Sequence, residues 1–320
     1  PAMLRNTMCL AALALGAGVT AHASAGEPLV VASIKPVHSL VAGVMEGVGE
    51  PVLLVKGAGS EHSYSLRPSE ARALDRAAVV FWVGETLETF LIKPLRTLSD
   101  DAQVVELAEV PGLTLHPTRE GGTWEAREHE EEPAGADAGH EEGGDEAHGE
   151  TDMHVWLDPR NAEVLVDAIA GTLGAADPAN AARYAANAAR LRGRLEELDR
   201  ALAERLAAVA DRPYVVFHDA YQYFERRYGT HALGAITINP IRRPGAQRLG
   251  EIHARLAQLN AACVFAEPQF EPALVETVVE GTDARQGVLD PLGAAFEAGP
   301  GQYFRLMEGL ADALLECLKA

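Results

Sequence analysis

Three histidines that lie far apart in the sequence are the residues best suited to form a metal site. His62 lies in a chain-turning segment after an apolar run, His154 lies beside another such segment, and His218 follows the apolar run 214–217 directly. Neutral imidazole nitrogens bind zinc at about 2.0–2.1 Å. Their spacing is far too wide for a local zinc finger, so a single site requires the fold to bring the three rings together.

Two carboxylates are candidates for a further ligand of the same site. Asp290 follows the short apolar run 287–289, and Glu61 adjoins His62. The carboxyl ends of strands in open α/β sheets converge on a crevice where ligands bind. Simpler interpretations stay open, because Asp290 could shape a turn beside a proline, Glu61 could be a solvated loop charge, and a lone histidine is usually a core or surface residue.

The elements that must position these residues follow a repeated pattern, a short apolar run and then a helix-like segment. This alternation predicts an α/β fold with parallel-type sheets flanked by helices. We expect two lobes, an N-terminal one over residues 26–175 and a C-terminal one over residues 211–320. Between them, a leucine stripe at helical spacing after Asp177-Pro178 predicts one long rigid helix over residues 176–210. The metal would then bind in the cleft between the lobes.

The segment 119–150 differs sharply in composition from the rest of the chain. It contains 12 acidic side chains and only two basic ones. Such a segment cannot bury enough apolar surface to offset the entropy of ordering it, so we expect a disordered insertion in the N-terminal lobe. Its histidines, His129, His140 and His148, are possible auxiliary metal ligands, and the alternative is a plain solvated linker.

Charge and the N-terminal sequence restrict the compartment and the partners. The formal net charge of −20 disfavours nucleic acid and anionic membrane surfaces as partners. Arg5, an apolar run over residues 8–19 and the small residues Ala23-Ser24-Ala25 predict a signal peptide over residues 1–25, cleaved near Ala25. The apolar run is too short to span a bilayer, and no later run is long enough. We therefore expect an exported periplasmic protein without stable membrane insertion.

Two cysteines, Cys263 and Cys317, remain after the expected cleavage. An even pair in an oxidising compartment suggests one disulfide. Two buried free thiols are the alternative.

Six stretches carry a resemblance to a known family. They occur in the same order as in that family and extend along nearly the whole expected mature chain. They are SEHSYSLRPSEARAL from Ser60, MHVWLDP from Met153, VFHDAYQYFE from Val216, NPIRRPGAQRL from Asn239, CVFAEPQF from Cys263 and VLDPLG from Val288. In these stretches the chain resembles the periplasmic zinc-binding proteins of bacterial ABC importers, the ZnuA family.

The resemblance implies a function and a set of site residues. It implies Zn²⁺ bound by His62, His154 and His218, with water, Asp290 or Glu61 in the fourth position. It also implies a Cys263–Cys317 bridge, a rigid helix between the lobes, and delivery of zinc to the membrane permease of an ABC importer. The acidic insertion lies where the family has a histidine-rich loop, but it contains only three spaced histidines, so its role stays open.

Two other functions compete with zinc delivery. Manganese-binding relatives look similar but place a carboxylate where His218 stands, and three imidazoles favour zinc over manganese, although other divalent ions could compete. A zinc metallohydrolase would also use three histidines and an open position. The sequence has no H-E-x-x-H motif, and Glu61 is the one candidate for a general base. We therefore expect a monomeric binding protein and no enzyme.

Overall fold

The computed structural model describes residues 28–99, 101–119, 151–237, 240, 245–259 and 261–319. The expected signal peptide lies outside the described residues. So does the acidic insertion after Arg119, with His129, His140 and His148. Among the described helices, none combines the length and the apolar character that crossing a membrane requires.

The first half of the chain forms a parallel sheet of four strands in the order β2-β1-β3-β4. Buried β-branched and aromatic residues fill its central strands, as expected for a sheet covered on both faces. The elements are β1 (Val30–Ala32), α1 (Lys35–Val44), β2 (Val52–Leu53), α2 (Pro68–Asp75), β3 (Val79–Trp82), α3 (Thr89–Leu98), β4 (Gln103–Glu106) and α4 (Pro159–Ala176).

The second half forms another parallel four-stranded sheet, in the order β6-β5-β7-β8. Its elements are β5 (Tyr214–His218), α6 (Gln222–Tyr228), β6 (Ala232–Thr237), α7 (Ala246–Leu259), β7 (Cys263–Ala266), α8 (Ala273–Val279), β8 (Arg285–Val288) and α9 (Gln302–Lys319). Two parallel sheets flanked by helices confirm the predicted fold class. The disulfide is also confirmed, since Cys263 of β7 is bonded to Cys317 of α9.

The long helix between the two sheets, α5, is shorter than the sequence predicts. It covers Ala181–Leu206, which is 26 residues and therefore about 39 Å. The prediction that Asp177 begins this helix is wrong, because Asp177 ends α4, and its carboxylate accepts hydrogen bonds from Asn180 and Tyr184 across a short turn. Helix α4 itself begins at an N-cap, Asp158, followed by a first-turn proline.

Packing joins the two halves around α5. One cluster of buried apolar side chains includes Phe81 of β3, Leu195 of α5 and Phe265 of β7. Polar contacts add to it, since the Trp156 Nε1–H donates to the carbonyl of Pro291 at 2.9 Å and the Tyr303 hydroxyl donates to the carbonyl of Trp156 at 2.7 Å. These contacts fix how the ends of the two sheets face each other.

Candidate metal centre

The first part of the candidate site is the loop between β2 and α2, which carries Glu61 and His62. The backbone N–H of His62 donates to the Ser60 hydroxyl at 3.2 Å. The Glu61 side chain is 2% exposed and the His62 side chain 15% exposed. The carboxylate is therefore deeply buried, while the neighbouring imidazole lies nearer the surface.

His154 lies just before the short helical turn 155–157, on the segment that leads into α4. Its Nδ1 lies 2.8 Å from an Asp152 carboxylate oxygen, and its backbone N–H donates to the same oxygen at 3.0 Å. A carboxylate on Nδ1 favours the tautomer with the proton there, which leaves the lone pair on Nε2. Asp152 thus aims Nε2 of His154 away from itself.

His218 is the last residue of β5, and its ring has the same arrangement. Its Nδ1 lies 2.6 Å from a carboxylate oxygen of Glu267, which follows β7, the neighbouring strand. Both side chains are 1% exposed. The parallel register of β5 and β7 places the two side chains at one edge of the sheet, as expected for carboxyl ends of adjacent strands.

The fold brings Glu61, His62, His154 and His218 together, with one ligand atom of each within 4.8 Å of all the others. The Nε2 atoms of His154 and His218 are 3.3 Å apart. Two nitrogens at 2.0–2.1 Å from one tetrahedral zinc ion would be about 3.3 Å apart, so this separation matches one edge of a zinc tetrahedron. A Glu61 oxygen lies 3.8 Å from the His62 Nε2 and 3.9 Å from the His154 Nε2.

Two of these ligand atoms have no hydrogen-bond partner among the described residues. They are His62 Nε2 and Glu61 Oε1, and both are buried. Buried polar atoms are almost always hydrogen-bonded, because leaving one unpaired costs about 1–3 kcal/mol and more for a charged group. A cation held between these atoms would satisfy both, so the residues present fit a metal ion.

Burial and mutual repulsion keep most of the imidazoles neutral. Burial, together with His218 and His154, lowers the pKa of His62 well below its usual value. Burial and the neighbouring His154 lower the pKa of His218 to about 4. Burial also opposes a charge on His154, but the hydrogen bond and charge of Asp152 outweigh it and raise that pKa. Neutral imidazoles are the form that binds metal.

Burial has the opposite effect on the carboxylate in this group. It raises the pKa of Glu61, although the nearby His218 and His154 oppose the shift. A metal ion would remove this penalty by supplying a positive charge.

Asp290, the other candidate carboxylate, does not join this group. One oxygen accepts hydrogen bonds from the backbone N–H groups of Leu292 and Gly293, at 3.1 and 3.0 Å, and from the Gln269 amide at 2.8 Å. Its other oxygen accepts from the N–H of Ala294. Asp290 therefore shapes the turn that follows β8.

Sequence reasoning missed Asp152 and Glu267. Asp152 lies two residues before His154, and Glu267 follows an apolar run just as His218 does. The position of Glu267 at the end of a strand is a usable signal, but its pairing with Nδ1 of His218 depends on the strand order.

Comparison with known proteins agrees with this geometry. A sequence profile described as "ZnuA: Zinc-uptake complex component A periplasmic" matches residues 30–317. The "High-affinity zinc uptake system protein ZnuA" of Brucella abortus (strain 2308) is 50% identical over 318 residues, covering 94% of this chain and 95% of that protein.

Two solved structures share the fold. A zinc-bound ZnuA deletion mutant has a TM-score of 0.73 at 21% identity and covers 92% of this chain and 99% of its own. The periplasmic zinc-binding protein TroA of Treponema pallidum has a TM-score of 0.73 at 22% identity with the same coverage. The profile match and the 50% identity together show that the chain belongs to the ZnuA family, the periplasmic components of zinc-uptake complexes.

Proposed function

We propose that the protein binds one Zn²⁺ ion through Nε2 of His62, His154 and His218 and one carboxylate oxygen of Glu61. The observation that carries this proposal is the 3.3 Å separation of the His154 and His218 Nε2 atoms, each on a ring whose Nδ1 faces a buried carboxylate. Such carboxylate–histidine pairs orient metal-binding imidazoles and make them more basic. Three nitrogens and one oxygen form a tetrahedral set that suits zinc better than manganese, which prefers more oxygen ligands.

The bound zinc is cargo that the protein delivers to the membrane permease of an ABC importer. Support for this role comes from the family and from relatives named for high-affinity zinc uptake. The expected signal peptide supports a periplasmic location, where a monomeric carrier would collect the ion. A release step at the permease would require the ligands to move, and the loop with Glu61 and His62 is suited to this because neither imidazole nitrogen of His62 is fixed by a carboxylate at hydrogen-bonding distance among the described residues.

The same ligand set argues against a catalytic zinc site. Catalytic zinc sites keep one position open for water or substrate, whereas closed sites have four protein ligands. With Glu61 as the fourth ligand, the residue that would have to act as general base is occupied. The protein is therefore a carrier and not a hydrolase.

Substitution of His218 tests this ligand set. We expect His218→Ala to weaken zinc binding by at least about 100-fold, since outer residues that merely orient a ligand already contribute 10- to 100-fold. Competition titration with a zinc chelator measures the affinity. The matched control is His253→Ala, because the His253 ring faces the carbonyl of Val278 on α8 and lies outside the group. Wild-type affinity in His218→Ala would refute the assignment, and a similar loss in both variants would indicate general damage to the fold.

A further inference from the structure

A buried cluster of charges lies beside the candidate metal centre and is not part of it. Arg119 Nε contacts both carboxylate oxygens of Asp219, at 3.1 and 3.0 Å. The Nη1 and Nη2 atoms of the same guanidinium donate to the two oxygens of Glu225, at 2.7 and 3.2 Å. The Asp219 and Glu225 side chains are 3% and 4% exposed, and that of Arg119 is 19% exposed. One guanidinium therefore holds two buried carboxylates in a fixed geometry.

These three residues connect segments that carry different metal-site histidines. Asp219 directly follows His218, and Glu225 lies on α6, which begins four residues after His218. Arg119 belongs to the segment 116–119, which pairs with residues 151–152 through an antiparallel bridge and a hydrogen bond from the Asp152 N–H to the His116 carbonyl, at 2.9 Å. Residues 116–119 and 151–152 together form this paired segment, whose second half contains Asp152 and lies just before His154.

Helix α6 also contacts this paired segment through two uncharged side chains. The Tyr223 hydroxyl donates to the carbonyl of Asp152 at 2.6 Å. The Gln222 amide donates to the carbonyl of Pro117 and to the Asp152 carboxylate, at 3.0 and 3.2 Å. The charged contacts of Arg119 add to these hydrogen bonds. Together they form a seam, the contact region between the segment carrying His154 and the segment carrying His218.

We propose that Arg119 is a positioning residue that sets the distance between His154 and His218. This inference rests on the proposed zinc-binding function. Arg119 touches neither imidazole, and it acts through Asp219 on one side and through the paired segment on the other. A guanidinium is suited to this task because its rigid fork fixes two carboxylates at once, whereas an ammonium is a flexible point charge.

A purely electrostatic role for Arg119 predicts that zinc binds more tightly when the arginine is replaced, whereas a positioning role predicts weaker binding. Removing a positive charge next to the site would strengthen the attraction of the remaining carboxylates for Zn²⁺. If Arg119 positions the site, Arg119→Gln instead weakens binding, because Asp219 and Glu225 repel each other and the seam opens. The direction of the change in affinity therefore distinguishes the two roles.

Arg227, which lies on α6, provides a matched control. Arg227 makes a two-pronged contact with Asp199 of α5, with Nε 2.7 Å from one carboxylate oxygen. The Arg227 and Asp199 side chains are 26% and 6% exposed, similar to the Arg119 cluster. This pair joins α6 to α5, and Arg160 Nε of α4 lies 3.7 Å from the same Asp199 carboxylate. The Arg227 pair is therefore separate from the contacts that α6 makes with residues 116–119 and 151–152.

The test compares Arg119→Gln and Arg119→Lys with Arg227→Gln and Arg227→Lys in the full chain. We expect zinc affinity to fall about tenfold in Arg119→Gln, the lower limit for residues that orient ligands. The zinc affinity of Arg119→Lys should lie between that of Arg119→Gln and that of wild type. Both Arg227 variants should bind zinc within about twofold of wild type but unfold at a lower temperature. The visible spectrum of bound Co²⁺, which is intense in a tetrahedral site, should weaken in the Arg119 variants only.

Two results would overturn the proposal. One is wild-type or tighter zinc binding in Arg119→Gln with an unchanged Co²⁺ spectrum. The other is an equal loss of affinity in the Arg227 variants. If Arg119→Gln does not fold, the comparison of Arg119→Lys with Arg227→Lys decides in the same way. Failure of the proposed function looks different, because then the wild-type protein itself would not bind zinc or His218→Ala would bind it normally.

Discussion

Replacement of Glu61 by glutamine should weaken zinc binding and, at the same time, stabilise the metal-free protein. The substitution keeps the shape of the side chain and removes its charge. Glu61 is almost fully buried, and its Oε1 has no hydrogen-bond partner among the described residues. Burial therefore disfavours the Glu61 charge in the metal-free protein, and a bound cation would give its Oε1 a partner.

The size of each effect follows from this environment. Loss of a direct ligand should reduce zinc affinity by about 100-fold, which corresponds to about 2.7 kcal/mol. In the metal-free protein, removing a buried charge whose Oε1 has no hydrogen-bond partner should raise the free energy of unfolding by about 1–2 kcal/mol at a pH above the raised pKa of Glu61. Burial raises the pKa of Glu61, so the wild-type carboxyl takes up a proton as the pH falls through that raised pKa. The stability advantage of the variant should therefore shrink at acidic pH.

The assay is thermal unfolding of metal-free protein at several pH values, paired with a competition titration for zinc. The matched control is Glu70→Gln. Glu70 is 2% exposed, but its carboxylate accepts hydrogen bonds from the Tyr64 hydroxyl at 3.1 Å and from the Arg67 N–H at 2.8 Å. The control should therefore lower the stability and leave zinc affinity nearly unchanged. A Glu61→Gln protein that is less stable than wild type without metal, or that binds zinc equally well, would refute the reasoning.

Three further predictions concern the neighbours of the site. Glu267→Gln should weaken zinc binding about 10- to 100-fold, because it replaces the carboxyl group that faces Nδ1 of His218 and orients that ring, and competition titration measures this. Asp290→Ala should lower the free energy of unfolding by about 1–3 kcal/mol through lost hydrogen bonds in its turn, with zinc affinity unchanged by calorimetry; a large loss of affinity would make it a ligand. Zinc affinity measured against pH should fall as the pH drops, because protons compete for the imidazoles. Among the three imidazoles, His154 should take up the first proton, since its pKa is raised while those of His62 and His218 are lowered. A zinc affinity that does not change until the pH reaches the low pKa of His218 would contradict this.

The α/β fold of this protein can be predicted from the sequence because the signals for its strands and helices are local. Apolar runs followed by helical segments predict both parallel sheets, and the run that ends at His218 corresponds to β5. The end of a strand is also where the side chain must lie to reach a crevice between the sheets, so His218 can be identified without coordinates.

The turn between α4 and α5 is harder to predict from the sequence. Asp177 followed by a proline resembles a helix N-cap, and the leucine stripe continues beyond it. The structure instead uses the carboxylate of Asp177 to accept hydrogen bonds from Asn180, the N-cap of α5, and from Tyr184 in the first turn of that helix. The same residue type serves both purposes, and only the packing of α4 against α5 decides between them.

The completion of the candidate site depends on contacts between distant segments. Glu61 and Asp290 are equally plausible ligands in the sequence, yet backbone N–H groups of its own turn surround the carboxylate of Asp290. The pairing of Glu267 with His218 and the contacts of Arg119 join residues separated by 49 and 100 positions. Composition and periodicity carry no information about such pairs.

Anomalous diffraction at the zinc absorption edge, from crystals of the zinc-loaded protein, tests the central claim most directly. We expect one strong peak about 2.0–2.1 Å from Nε2 of His62, His154 and His218 and about 2.0–2.2 Å from a Glu61 oxygen. A peak bound to other residues, or no peak at this position after zinc has been added, would contradict the account.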